Sequence, residues 1–179
     1  RDAVSRLLRG ENIDFYLAMS LDGISVLNDL AGGVTVTLED DFSAADPAMT
    51  KGTTLTLHGD QAEIFVRRRM DIGEGTNEAR MVRQEEYLAQ LSAQLESSVQ
   101  QDQQFTAQVY DALQPYLVTD LAKGQLVNEV WAAKDDTVEP AIALEGEHKV
   151  AEDGFTEFYP TEASIQKAVL TLFWEPFEE

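Results

Sequence analysis

The 179-residue chain contains no cysteine. That excludes a disulfide, a thiolate nucleophile and any cysteine-based zinc site. Its two histidines, His58 and His148, lie far apart without metal-ligand spacing, so both read as loop or surface side chains. No stretch approaches the roughly 20 apolar residues that cross a bilayer, and no signal-peptide pattern is present. Ser5, Ser20 and Ser25 sit near no histidine pattern, which leaves a serine triad without support. Basic residues are also scarce, 13 against 33 acidic, for a formal net charge of −20. A surface this acidic repels a polyanion and argues against a nucleic-acid role.

What is present is a foldable chain. A hydrophobic content of 44% is ordinary for a globular protein. The length fits one domain with a substantial core, residues 1–179. Residues 1–100 would form its motif-bearing core and 101–179 further helices and strands. The chain opens at Arg1, without Met and directly in a helical pattern, and so reads as a fragment.

Local patterns alternate between two periods. Val4, Leu7 and Leu8 have helical spacing, with Gly10 as the stop. Ile13 to Met19 alternates in strand fashion, Asp22 to Leu30 reads as a short helix, and Val34 to Leu38 is a clean alternating strand. TTLTL adds a short extended piece after a polar loop. Asp60 and Glu63 have the spacing of a capping box for a short helix ending by Val66. A long helix is expected from about Glu78, with Leu88, Leu91, Leu95 and Val99 as its apolar stripe. A stripe from Phe105, a short helix capped by Thr119 or Asp120, strand-like AIALEG and FTEFY, and a helix capped by Thr161 complete the order. Helices interleaved with strands predict an α/β fold, an α-β-α layered sandwich with a mixed central sheet.

The chemistry concentrates in VRRRMDIGEGTNEARMVRQ, residues 66–84. Window 67–83 carries Arg67, Arg68, Arg69, Arg80 and Arg83 and a balance of +2, while the remainder sums to −22. A basic island in an acidic chain points to an anion. If residues 67–69 are extended, Arg67 and Arg69 share a face and form a fork suited to phosphate oxygens, while Arg68 points away. Asn77 sits where an N-cap belongs, and Arg80, Arg83 and Gln84 follow on one helical face. Arg80 near a helix start opposes the dipole unless an anion lies between them. The bland alternative is a solvated surface on which these arginines pair with Asp71, Glu74, Glu78 and Glu85. Glu39, Asp40 and Asp41 read as a solvated loop, with a metal cluster as the alternative. Met70 and Met81 flank the arginine loop, where packing is their default role. Trp131, Phe155, Phe158, Tyr159, Phe173 and Trp174 read as core or as the wall of an apolar groove.

Three ordered stretches, Asn28 to Val36 (NDLAGGVTV), Leu57 to Arg69 (LHGDQAEIFVRRR) and Asn77 to Gln84 (NEARMVRQ), resemble the LytR-CpsA-Psr family. The resemblance around them extends over residues 12–90. The tail stretches TDLAKGQL and TEFYPTEASIQKAVLTLFWEPFEE also look like short clostridial-type members. The resemblance implies an α-β-α sandwich on the extracellular face of the cytoplasmic membrane, anchored by an N-terminal helix outside this chain. It implies a phosphotransferase that moves a glycopolymer, such as a teichoic acid, from a polyprenyl-pyrophosphate carrier to peptidoglycan or another envelope acceptor. Arg67, Arg69 and Arg80 match the family arginines that hold the pyrophosphate, with Arg83, Gln84 and Asn77 as further substrate-binding positions. Mg²⁺ is the implied cofactor, its ligands expected mainly in a preceding half of the domain that this chain lacks. Asn77 stands where many members carry Asp and receives no catalytic role. The catalytic base is unassigned, and a complementary fragment or a second copy is expected to complete the sheet. The alternative is a non-catalytic module that binds a polyprenyl phosphate or polymer. A transcriptional attenuator, the role in the family's older name, conflicts with the net charge.

Overall fold

The computed structural model describes residues 1–69, 72–73, 75–136 and 142–174, the side chains of residues 77 and 78 excepted. The chain divides into two compact units. One comprises Leu17–Asp136, the other Arg1–Tyr16 with Thr137–Glu179.

The first unit contains β1 (Leu17–Met19), α2 (Gly23–Leu30), β2 (Thr35–Thr37), β3 (Thr54–Thr56), α3 (Asp60–Arg67), α4 (Asn77–Gln101), α5 (Phe105–Leu113), β4 (Leu117–Thr119) and α6 (Lys123–Ala132). Its centre is the β2–β3 ladder. The period-2 pattern sends Val34, Val36 and Leu38 into the core, where all three are buried. The threonines face outward and pair across the ladder, Thr35 with Thr56 and Thr37 with Thr54, each at 2.8 Å between hydroxyls. Phe42 and Met49, from the loop between the strands, seal one end. Phe65 of α3 stacks between Phe42 and Tyr87 of α4, with centroids 5.8 and 6.5 Å away.

Asn28 locks α2 to this ladder. Its Nδ2 donates to the Leu57 carbonyl (2.7 Å), and its Oδ1 accepts from Val34 N–H (3.1 Å) and the Tyr87 hydroxyl (3.2 Å). A fully buried amide is tolerated because its partners are satisfied. Gly33 permits the close approach. It has φ +85°, and a Cβ there would lie 2.6 Å from Thr56.

The second unit contains α1 (Asp2–Leu7), the hairpin β5 (Gly146–Val150) with β6 (Thr156–Pro160), and α7 (Glu162–Phe173). Thr161 caps α7 as expected, its hydroxyl accepting from Ser164 N–H at 3.2 Å. Ile165, Ala168 and Val169 form its buried stripe. Arg9 reaches Glu162 at 2.5 Å.

The α/β class holds, since helices and strands alternate along the chain. The described strands do not assemble one mixed central sheet. They pair two by two and antiparallel, β1 with β4, β2 with β3 and β5 with β6. Strands of three to five residues offer few ladder bonds, and each reaches a single neighbour. β4 carries no sequence signal, because three residues beside the Pro115 turn show no alternation. The α4 stripe holds at Leu91, Leu95 and Val99 and fails at Leu88. Tyr87 and Leu91 are buried, whereas Leu88 is 56% exposed. The buried face runs Arg83, Tyr87, Leu91 at i, i+4, i+8, and an arginine at its head hides it from an apolar count.

Candidate functional site

The site begins where α3 ends. Asp29 accepts the Gly59 N–H with both carboxylate oxygens (3.0 and 3.2 Å), fixing the start of α3. That bond, against some desolvation and with help from Asn28 and His58, holds the Asp29 carboxyl below its ordinary value. The expected Asp60–Glu63 capping box does not form. Gly59 occupies the cap at φ 52°, without a side-chain capping bond. Glu63 turns instead to Arg67 one helical turn on, at 2.6 Å. The helix runs to Arg67 rather than stopping by Val66, and Arg68 breaks it with φ −69°, ψ 134°.

Arg67, Arg68 and Arg69 therefore fan out from a helix terminus. Together with Arg80 of α4 they line a cleft of about 720 Å³, whose remaining wall is Asp60, Glu63 and Ile64. Three residues expected to grip an anion, Arg67, Arg69 and Arg80, are thus brought together. Arg68 joins them, although strict strand alternation would have turned it away. The break at the end of a helix, not a continuous strand, sets its direction.

Thr76, not Asn77, caps α4. It has extended dihedrals (φ −78°, ψ 160°) and its hydroxyl accepts from Ala79 N–H at 3.1 Å. Asn77 becomes the first helical residue, since the cap must keep a non-helical backbone. The alternative that paired the arginines with Asp71, Glu74, Glu78 and Glu85 falls outside the described residues and side chains for the first three, as does Met70, while Glu85 is exposed on α4. Met81 is exposed.

Arg83 and Gln84 are turned towards the protein. Gln84 Nε2 donates to the Val66 carbonyl at 2.9 Å. Arg83 is 9% exposed, donating from Nε to the Phe65 carbonyl (3.2 Å), from Nη2 to the Arg68 carbonyl and from Nη1 to Asp40 (3.3 Å). Its guanidinium carbon lies 5.3 Å from the centroid of the Phe42 ring. Burial pulls the Arg83 pKa down and Asp40 opposes that shift. Asp40 is thus a structural ion-pair partner rather than part of a solvated loop.

The same unit holds two apolar cavities. One, about 220 Å³, is bounded by Met19, Leu27, Val66, Tyr87, Leu88 and Leu91 among others. The second, about 280 Å³, shares Met19 and Leu27 with it and extends between α4 and α5. The aromatic residues proposed as a groove wall do not line either cavity. Phe155 and Trp174 instead lie 73% and 61% exposed.

The described residues do not gather a Mg²⁺ site. No group of three or more potential ligands is found among them, and of the two carboxylates in the cleft Glu63 is held by Arg67. Among the described residues no helix is long and apolar enough to cross a membrane.

The LytR_cpsA_psr family profile matches residues 2–172. The chain belongs to the LytR-CpsA-Psr family. It is 39% identical over 101 residues to the cell wall biosynthesis protein LcpA of Corynebacterium glutamicum, covering 54% of this chain and 18% of that protein. The chain thus spans about a fifth of that curated relative. Among solved structures it resembles protein gbs0355 of Streptococcus agalactiae (TM-score 0.73, 22% identity, 94% of this chain and 59% of that one). It also resembles TagT bound to LI-WTA (TM-score 0.68, 18% identity, 96% and 63%) and Bacillus subtilis TagU (TM-score 0.61, 16% identity, 96% and 68%). At these identities the likeness establishes the fold.

Proposed function

We propose that this chain carries the pyrophosphate-gripping part of a glycopolymer phosphotransferase. The enzyme would transfer a polymer from a polyprenyl-pyrophosphate carrier to peptidoglycan or another envelope acceptor. The observation that carries this reading is the cleft of four arginines in a chain of net charge −20. Such a clamp orients the pyrophosphate and neutralises charge that develops as the bridging P–O bond breaks. An acceptor hydroxyl oxygen bonds to the sugar-linked phosphorus, polyprenyl monophosphate leaves, and the hydroxyl proton passes to a base. Arg67, Arg68, Arg69 and Arg80 bind and orient; none of them is that base, because guanidinium stays protonated.

The apolar cavities support a lipid carrier rather than a free anion. Val66, beside Arg67 in the chain, lines the first of them, so a headgroup in the cleft would have an apolar seat nearby for its tail. The family membership and the names of LcpA and of TagT bound to LI-WTA support a cell-envelope polymer as cargo. On this reading the domain of the full-length protein would work at the extracellular face of the cytoplasmic membrane, and Mg²⁺ would be held by residues outside those described.

The test is binding of farnesyl pyrophosphate to the full-length protein by calorimetry. The Arg67→Ala/Arg69→Ala double variant should lose at least about a hundredfold in affinity, given two charge-assisted contacts of roughly 1.5–3 kcal/mol each. Its melting temperature should stay near that of the parent. Unchanged affinity would sink the assignment.

A further inference from the structure

A buried arginine near the cleft, Arg83, does not line it. We propose that Arg83 is a positioning residue, which fixes the exit of Arg67–Arg69 from α3 by capping that helix from α4; the proposal rests on the cleft being the anion site. Arg83 reaches the Phe65 and Arg68 carbonyls, both at the C-terminal end of α3, where carbonyls lack intrahelical donors and the helix dipole is negative. Gln84, next in sequence, satisfies the Val66 carbonyl between them. Two consecutive α4 residues thus supply the donors for three carbonyls at the point where the backbone turns from helix to extended chain.

The guanidinium suits this task because its rigid fork can serve several acceptors at once. Two further contacts keep the fork from rotating. Asp40 holds Nη1 from the loop after β2, and the buried Phe42 ring lies against the guanidinium face. Asp40 is itself backed by Gly73, where a Cβ would come within 2.2 Å of its Oδ1 at a backbone φ of +46°. The chain Gly73, Asp40, Arg83, Arg68 carbonyl leads from the exposed segment before α4, through a buried guanidinium, to the backbone of the cleft. Arg83 acts on the anion through the placement of Arg68 and its neighbours, not by contact.

The sign of one substitution separates this role from direct binding. In the full-length protein, farnesyl pyrophosphate affinity is measured by calorimetry for the parent, Arg83→Lys, Asp40→Asn and Arg67→Ala. If Arg83 contacts the ligand, Asp40→Asn removes a competing carboxylate and affinity rises. If Arg83 positions the turn, Asp40→Asn frees the fork to rotate and affinity falls, by about tenfold. Arg83→Lys, which keeps the charge but loses the fork, should lose at least as much. Amide hydrogen exchange should accelerate at residues 67–69 in both variants while the β2–β3 ladder stays protected. A merely structural role would lower the melting temperature and leave the affinity of the folded protein unchanged, which overturns the proposal. A rise in affinity for Asp40→Asn with loss in Arg67→Ala overturns positioning alone. Equal affinity in Arg67→Ala and parent overturns the anion site and this proposal with it.

Discussion

The two compact units of this chain handle their aromatic residues in opposite ways. In Leu17–Asp136, Phe42, Phe65 and Tyr87 are buried and stacked, with Phe42 against the Arg83 guanidinium. In the other unit every residue of β5 is exposed, and Phe155, Phe158 and Tyr159 face solvent. The difference explains where a charged site can be built. A guanidinium held to a fraction of an ångström needs a rigid floor, and packed aromatics supply one. The hairpin of β5 and β6 offers ladder bonds and surface pairs such as Tyr159 with Glu157, but little buried surface to hold a side chain rigidly.

The largest expected contrast is in stability. Phe42→Ala removes a fully buried ring that also backs Arg83, and should cost about 3–5 kcal/mol. Phe158→Ala, at a partly exposed ring of the hairpin, should cost below about 1 kcal/mol. Urea unfolding of the two variants measures both, and equal losses would dissolve the contrast between the units.

A middle-sized effect is expected at alkaline pH. Burial, with the nearby Asp29 charge, pushes the Tyr87 phenol up to about 12. A folded-state value above the unfolded one means stability is fully present below about pH 10 and is lost between about 10 and 12, as the unfolded chain releases its proton first. Tyr87→Phe should flatten that part of a stability-against-pH profile. Tyr159 in the hairpin is also raised, by the hydrogen bond to Glu157, but it is exposed and should leave the profile unaltered on Tyr159→Phe.

The smallest contrast uses two matched caps. Thr76→Ala and Thr161→Ala each remove a hydroxyl that accepts an N–H three residues on, and each should cost about 1 kcal/mol. Only Thr76→Ala should also weaken binding of a prenyl pyrophosphate, because α4 carries Arg80, Arg83 and Gln84. Calorimetry beside thermal melts would show whether the ligand distinguishes them.

These contrasts also mark what could be read from the residues alone. The clean alternation of Val34, Val36 and Leu38 gave β2, and the Thr161 cap with Ile165, Ala168 and Val169 gave α7, because there local pattern and burial agree; Leu172 and Phe173, which continue the apolar spacing, are exposed. The grouping of Arg67, Arg69 and Arg80 was legible from charge imbalance and motif order. Arg68 was misdirected because its orientation depends on where α3 breaks, which is decided by donors arriving from α4. The structural role of Arg83 was hidden for a related reason. Its partner Asp40 lies 43 positions away, beyond any local spacing rule. The signal available was an arginine four residues before a buried tyrosine, on the same helical face. β4 escaped notice because its pairing with β1 spans most of the unit and three residues leave no period.

The most direct test of the central claim is photo-crosslinking of the full-length protein with a prenyl pyrophosphate that carries a diazirine on its tail, mapped by mass spectrometry. The account predicts labels at Met19, Val66, Leu88 or Leu91, competed away by unlabelled prenyl pyrophosphate and absent in Arg67→Ala/Arg69→Ala. Labelling concentrated on the exposed aromatics of residues 146–174, and indifferent to the arginines, would contradict it.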